Sequence, residues 1–250
     1  MIIYDKNKKA ILNPEDMNKD AKKISEHCIL CFFNDVLENL EKNKEIKKVG
    51  ELNSTLGKHP IYEFKYNDKI INVFNPGLGG PMSAGFLEEL IALGCKNFIA
   101  CGGAGVLDSK IKMGQLIVPT EAVREEGTSY HYIEADKKIK VKQEVLKIIE
   151  KVLKEKDISY IKGKIWTIDA IYRETEQKIH DKKEDGCIAV EMEFASMLAV
   201  SIFRDINFGQ ILYGGDDLDG EIWKYRNWRE NENIQNKMFW LCADILKELC

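Results

Sequence analysis

Residues Ile70 to Gly94 read IINVFNPGLGGPMSAGFLEELIALG. The opening apolar run is short and ends in Asn-Pro-Gly, which predicts a strand over 70–77. Proline in a first turn and glycine at a stop then predict a helix over Pro81–Leu93, closed by Gly94. A strand, a glycine-rich turn and a helix in that order form the repeating unit of a sheet covered by helices.

The same alternation continues downstream. NFIACGG and QLIVP (Gln115–Pro119) read as strands, and the apolar spacing over 141–154 reads as an amphipathic helix. KIWTID (164–169), CIAVE (187–191) and FGQILY (208–213) are further strands. Helices are expected over Tyr172–Lys183, over Glu193–Arg204 and from about Asn231 onward. Upstream, Ile24, Cys28, Cys31, Phe32, Val36 and Leu40 suggest a helix over 18–48, stopped by Gly50. With no repeats, no low-complexity linker and five prolines, residues 1–250 are expected to form a single domain.

Acidic and basic residues nearly balance, 41 against 37, which argues against nucleic acid as a partner. No apolar run approaches the ~20 residues needed to span a bilayer, and no leader pattern opens the chain, so a soluble, cytoplasmic protein is expected. Seven cysteines, several in apolar runs, fit reduced core thiols better than a disulfide framework. Cys28 and Cys31 form a CxxC with no second pair to complete a metal site, so no metal is expected.

In parallel sheets ligands gather at the carboxyl ends of strands. The post-strand segments here are NPGLGGP, CGGAGVL, TIDAIYRET, VEMEF and GGDDLDG, and four of the five combine a strand end with glycine or carboxylate. Gly77, Gly79 and Gly80 can turn backbone amides toward an anion, or simply make a tight turn. Met82 stands where a dinucleotide fingerprint needs its third glycine, which weakens a nicotinamide reading. Glu191 and Glu193, two apart at a strand-to-helix junction, suit either a grip on vicinal hydroxyls or the start of a helix. Asp216 and Asp217, side by side at the end of a strand, must be solvated, cap a helix or be held for chemistry.

GLGGP, EELIALG, GGAGVL, GQLIVP, TIDAIYRET, AVEMEFASMLAV and GGDDL, in this order and spacing, resemble the nucleoside phosphorylase superfamily, which includes purine nucleoside and uridine phosphorylases and related nucleosidases. The resemblance covers roughly residues 70 to 218. It implies a three-layer α/β/α fold with a mixed, mostly parallel central sheet partly closed into a barrel, and cleavage of a nucleoside N-glycosidic bond. It further implies Glu193 as the ribose-hydroxyl ligand with Met192 packing on the sugar. Ile171, Val190 and Tyr172 would line the base, and Asp216 would be the acid that protonates it. Inorganic phosphate would be the co-substrate, without a cofactor, in a homodimer or homohexamer with shared sites.

The phosphate half of that pattern is thinned here. Ala100 and Gly103 stand where the family places an arginine and a hydroxyl residue, and Asn18, in NPEDMN, stands near a second arginine. Phosphate would then be held by amides at Gly79, Gly80 and Gly103 with Arg124, His59, Arg173 or a neighbouring subunit's cation. Arg124, Glu126, Thr128 and His131 resemble the uridine phosphorylase side of the family. Alternatively, water is the acceptor, activated by an acid such as Glu15, as in the methylthioadenosine nucleosidase branch. A nucleoside-binding protein without activity is the remaining possibility. Asp216 suggests a purine, whereas Arg173 and Gln177 lie shifted from the pyrimidine-reading positions. Trp223, Tyr225, Trp228, Arg226 and Arg229 form either a lid, with one arginine pairing Asp216, or an oligomer interface. Phosphorolysis is the expectation, and hydrolysis its closest competitor.

Overall fold

The computed structural model describes residues 4–19, 21–228 and 231–249. The expected helix over 18–48 is absent: strand β1 (His27–Cys31) runs into helix α2 (Asn34–Lys42), and strand β2 (Lys47–Ser54) begins the next element. The reason lies in burial. Cys28 to Cys31 are buried on both faces of a central strand, so the run carries no period that distinguishes strand from helix. Three apart in a strand, Cys28 and Cys31 face opposite sides rather than one helix face. All six described cysteines are buried free thiols.

Strands β3 (Gly57–Tyr66) and β4 (Lys69–Phe74) complete an antiparallel hairpin and its neighbour. The β2–β3 hairpin escapes the sequence reading because β2, KKVGELNS, is largely solvent-exposed and nearly devoid of apolar residues. Downstream the expected order holds. Helix α3 (Gly80–Ala92) leads to β5 (Asn97–Val106) and β6 (Leu116–Glu125). The short β7 (Ile139–Lys140) is followed by α4 (Gln143–Glu155), β8 (Tyr160–Ile168), α5 (Glu176–Glu184) and β9 (Cys187–Glu191). Helix α6 (Phe194–Arg204), β10 (Asn207–Asp217) and α7 (Glu232–Glu248) close the chain.

The sheet is mixed and mostly parallel through its centre, with parallel pairing along β4–β1–β5–β10 and along β6–β8–β9. β10 pairs with both β5 and β6, and β9 returns to β5, so five strands close into a ring from which β1, β4, β3 and β2 extend as an open wing. Helices α2, α4 and α7 pack on one face, and α3 and α6 pack together on the other, giving the three layers expected. Trp166, Tyr213, Phe74, Phe98, Phe194, Phe208 and Phe239 are almost fully buried between them. Among the described residues no helix is long and apolar enough to cross a membrane.

The glycine run of β5 differs from expectation in a way that matters for the site. Gly102 to Gly105 lie within the strand, not in a turn after it. A Cβ at Gly102 would lie 3.3 Å from the Phe32 ring, and one at Gly105 only 2.4 Å from Leu218 and 3.2 Å from Val190. The glycines therefore admit the protein's own side chains, allowing β10, β9 and the segment after β1 to close on β5. Gly214 on β10 is similarly constrained. A Cβ there would sit 2.9 Å from the Lys112 carbonyl, while its N–H donates to Gln115 and its C=O accepts from Gly114. Gly214→Ala is expected to lower stability by about 1–3 kcal/mol in urea unfolding, because backbone rather than a side-chain tip must give way.

Candidate active site

The mouth forms where the ends of β4, β6, β8, β9 and β10 meet. After β4, the Asn75 carboxamide accepts the Gly77 N–H at 3.0 Å, and Gly77 and Gly79 take φ of +74° and +86°. That left-handed backbone turns the Gly79 N–H inward. The group that meets it is Glu193, whose carboxylate accepts it at 2.6 Å. The anion expected at the glycine turn is thus, in this structure, a side chain of the protein itself. Gly80 begins α3, and a Cβ on it would overlap the Ser196 hydroxyl at 2.3 Å and approach that of Thr128 at 3.1 Å.

Glu193 belongs to a cluster of acids. Glu191, at the end of β9, accepts the N–H groups of Glu193 and Phe194 at 2.8 and 2.6 Å and the Thr167 hydroxyl at 2.6 Å. It therefore satisfies the start of α6, where a negative charge also suits the helix dipole. Glu126, after β6, accepts the N–H groups of Thr128 and Ser129 at 2.8 and 2.9 Å, the Ser196 hydroxyl at 2.7 Å, and the Ser129 hydroxyl. Asp169, after β8, accepts the Gly127 N–H at 2.8 Å. Three strand ends are stitched together in this way.

Burial is the main force on these carboxyls. It pushes Glu193 up to about 8, helped by the charges of Glu191 and Asp169 and opposed by the Gly79 and Met192 amides. Burial likewise raises Glu191 to about 7 against its three hydrogen bonds, with Glu126 adding to the rise. Every neighbouring charge named here is negative.

Across the mouth, β10 delivers Asp216 and Asp217 to different fates. Asp217 is the buried one, at 1% exposure. It accepts from the Ser109 hydroxyl at 3.0 Å, the Asp219 N–H at 2.9 Å, Lys224 at 3.2 Å and Arg226 at 2.5 Å. Burial alone would raise it, but these donors outweigh burial and hold it below the usual carboxylate range. Backbone bonds in both directions between Asp217 and Lys224 close the loop between them. Asp216 is half-buried: one oxygen accepts the Trp223 indole N–H at 2.6 Å, and the other lies 3.5 Å from where a Gly105 Cβ would be, beside Val190.

Between residues 26 and 244 the sequence matches the phosphorylase superfamily. The chain belongs to that superfamily. Among its relatives, the guanosine phosphorylase of Halorubrum lacusprofundi is 27% identical over 162 residues, covering 65% of this chain and 67% of its own. The uridine phosphorylase of Treponema pallidum is 28% identical over 153 residues, covering 57% and 59%. The chain thus spans about two thirds or less of the length of these relatives. A uridine phosphorylase structure from Vibrio fischeri superposes with a TM-score of 0.75 at 22% identity, covering 93% of this chain and 99% of that one. An AMP nucleosidase structure from Bacteroides thetaiotaomicron gives 0.73 at 20%, covering 90% and 88%. At those identities the likeness concerns the fold.

Within this superfamily fold, the residues read from the sequence separate into those that meet at the mouth and those that do not. Glu193, Gly79 and Gly80 meet there, with Met192 half-buried beside Glu193. Val190 and Asp216 meet against Gly105 on β5. Ile171 and Tyr172, expected to line the base, are exposed, at 53% and 93%. Gly103 packs on the Tyr213 ring, which a Cβ would approach at 3.4 Å. Arg124 is committed elsewhere. Its guanidinium donates to the Ser129 hydroxyl at 2.8 Å and to the carbonyls of Ile133, Glu134 and Lys137 at 2.7–3.1 Å, stacking 4.1 Å from the Tyr130 ring. It clamps the loop after β6, and the charge-matching expectation missed that loop carbonyls would absorb it.

Arg226 also departs from expectation, pairing Asp217 and the Ile111 carbonyl rather than Asp216. Arg229 lies outside the described residues. His59 packs its ring 4.6 Å from Phe86 and bonds Ser54, and His131 is exposed on the loop after β6. Glu15 is exposed on helix α1 (Pro14–Met17), and adjacent Asn18 bonds Glu89, nine residues along α3 from Gly80 and so about 13 Å from the glycine turn. The segment that follows β1 toward the mouth is instead Phe32-Phe33-Asn34.

The raised carboxyls make stability depend on pH. A folded-state value above the unfolded one means the folded chain binds more protons between the two, so stability falls as pH rises from about 4.5 toward 8. Glu193→Gln removes that penalty. We expect it to stabilise the ligand-free protein on the order of 1–3 kcal/mol at pH 8 and little at pH 4.5, measured by thermal unfolding across pH.

Proposed function

We propose that the protein cleaves the N-glycosidic bond of a nucleoside and transfers the sugar to water. The observation that carries this reading is the acidic mouth itself: Glu193 on the glycine turn, Glu191, Glu126 and Asp169 behind it, and Asp216 across from it. Bond cleavage develops positive charge on the sugar and negative charge on the departing base. A carboxylate wall beside the sugar favours the first, and a proton donor beside the base relieves the second, an effect worth roughly 10²- to 10⁴-fold. Glu193 accepts hydrogen bonds from the sugar hydroxyls in place of the Gly79 N–H, holding the ring while the base departs.

The same wall opposes a phosphate acceptor. Where such a carboxyl ionises, each pair of like unit charges about 6 Å apart costs about 3 kcal/mol at an effective dielectric of ~20, and burial already holds Glu193 and Glu191 toward their neutral forms. Among the described residues two arginines expected near the site are engaged elsewhere: Arg124 by loop carbonyls and Arg226 by Asp217. Water carries no such cost. Phosphorolysis is the second reading, favoured by relatives that are a guanosine and a uridine phosphorylase. It needs a cation from Arg173 or from a second copy of the chain.

Incubation with inosine, guanosine, adenosine and uridine, each with and without phosphate, separates the two. Free base and free ribose without phosphate are expected, and Glu193→Gln is expected to lower turnover about 10²-fold or more. Base release that requires phosphate and yields a sugar 1-phosphate would establish the second reading. Nucleoside binding without any product would mean a binding protein.

A further inference from the structure

Glu174 stands on the segment joining β8 to α5, just after the turn closed by the Arg173 N–H on the Ala170 carbonyl. Its carboxyl is partly buried and has no hydrogen-bond or ion-pair partner among the described residues. The segment is folded against the acid loop. Leu218, next to Asp217, packs in one apolar cluster with Val190, Trp166, Ile168 and Ile179, and the last two bracket Glu174 in sequence. Lys183 of α5 binds Asp219 of the same loop. Asp216 lies close enough for its charge to act on the Glu174 carboxyl, and one of its oxygens is held by the Trp223 indole N–H at 2.6 Å.

We propose that Glu174 is the proton donor to the departing base, facing the Trp223-bonded Asp216. This rests on the reading that the site cleaves a nucleoside. Burial first, and then the charge of Asp216, push the Glu174 carboxyl up to about 7. Glu174 therefore carries a proton in a substantial share of molecules at neutral pH, and a donor matched to the working pH is the efficient one. The other charged groups on the elements around it are engaged or turned to solvent. Lys178 and Lys182 bind Glu125, Lys183 binds Asp219, Asp169 accepts the Gly127 N–H, and Arg173 and Glu176 are exposed.

In the step itself the C1′–N bond breaks and its electron pair goes to the base nitrogen, while the Glu174 proton passes to a ring nitrogen of the base. Glu174 is left as a carboxylate. Water adds to C1′ and releases a proton to solvent, and Glu174 regains a proton from solvent. Nucleoside plus water thus gives neutral base plus ribose.

The test compares a purine nucleoside with 4-nitrophenyl riboside, whose phenolate departs without a proton, over pH 5.5 to 9. For the nucleoside, kcat of the natural chain is expected to fall above about pH 7. Glu174→Gln should lower nucleoside kcat at pH 7 by 10²- to 10³-fold, lose that descending limb, and depress the nitrophenyl riboside at least tenfold less. Asp216→Asn should move the limb to lower pH, since Glu174 loses the charge that holds its proton. The proposal is overturned if Glu174→Gln depresses both substrates equally or keeps nucleoside kcat within threefold, or if Asp216→Asn leaves the limb in place. A natural chain that cleaves the nitrophenyl riboside but no nucleoside would overturn the donor role while sparing the sugar-side reading. A chain that binds both but cleaves neither would overturn the reaction and the donor role together.

Discussion

Everything at the mouth depends on burying carboxylates at strand ends without leaving them unsatisfied. A buried charge without donors costs many kcal/mol, whereas one that accepts several N–H and O–H bonds is tolerated. Glu191 and Glu126 meet that condition with backbone amides at the start of α6 and of the loop after β6, and with the hydroxyls of Thr167, Ser129 and Ser196. Glu193 meets it least well, with the Gly79 amide as its one strong partner, and burial and the charge of Glu191 act on it accordingly. An acid with one strong partner has more to gain from a ligand's hydroxyls than one with three or four.

The ring of strands brings the ends of β9 and β10 to the same strand, β5. β9 runs antiparallel to β5 and β10 parallel to it, so the ends that carry Glu193 and Asp216 would diverge in a flat sheet. Gly105 removes the side chain that would hold them apart, and Val190, Leu218 and Asp216 converge on the space it leaves. Loss of a Cβ at one position thus couples closure of the ring to assembly of the site. Asp217 then anchors the loop through Ser109, Lys224 and Arg226, which frees Asp216 for the pocket side.

How far these features were legible in the sequence follows from which physical signal each one carries. Strand–glycine–helix units announce themselves locally, so α3, β9 and α6 fall within a residue or two of expectation. β1 does not, because HCILC is buried on both faces and lacks a period, and β2 does not, because an exposed hairpin strand lacks the apolar alternation. Glu193, Gly79 and Asp216 stood out because glycine and carboxylate coincide there at strand ends, and the fold brings Glu193 onto the Gly79 N–H. Arg124 misled because its identity advertises a charge, while its environment, four acceptors in a loop and the Tyr130 ring, is created only by folding. Glu174 and the Trp223 bond to Asp216 were silent for the same reason. Each depends on a partner distant in the chain or on a loop conformation that no local pattern encodes.

The segment after β1 bears on the choice of acceptor. Phe32 and Phe33 follow the strand directly, the Phe32 ring lies over Gly102, and the Phe33 ring is 5.9 Å from that of Tyr213. Ala100 is wholly buried beneath this layer. An anion placed here would lose its water and find aromatic carbon in place of cationic donors, a desolvation cost that a few backbone amides do not offset. Water is neutral and small, and it suffers neither penalty. Aromatic residues on the β1 side and acids on the α6 side are thus two unrelated kinds of residue that each disfavour an anion beside them, and their agreement is a stronger argument than either alone.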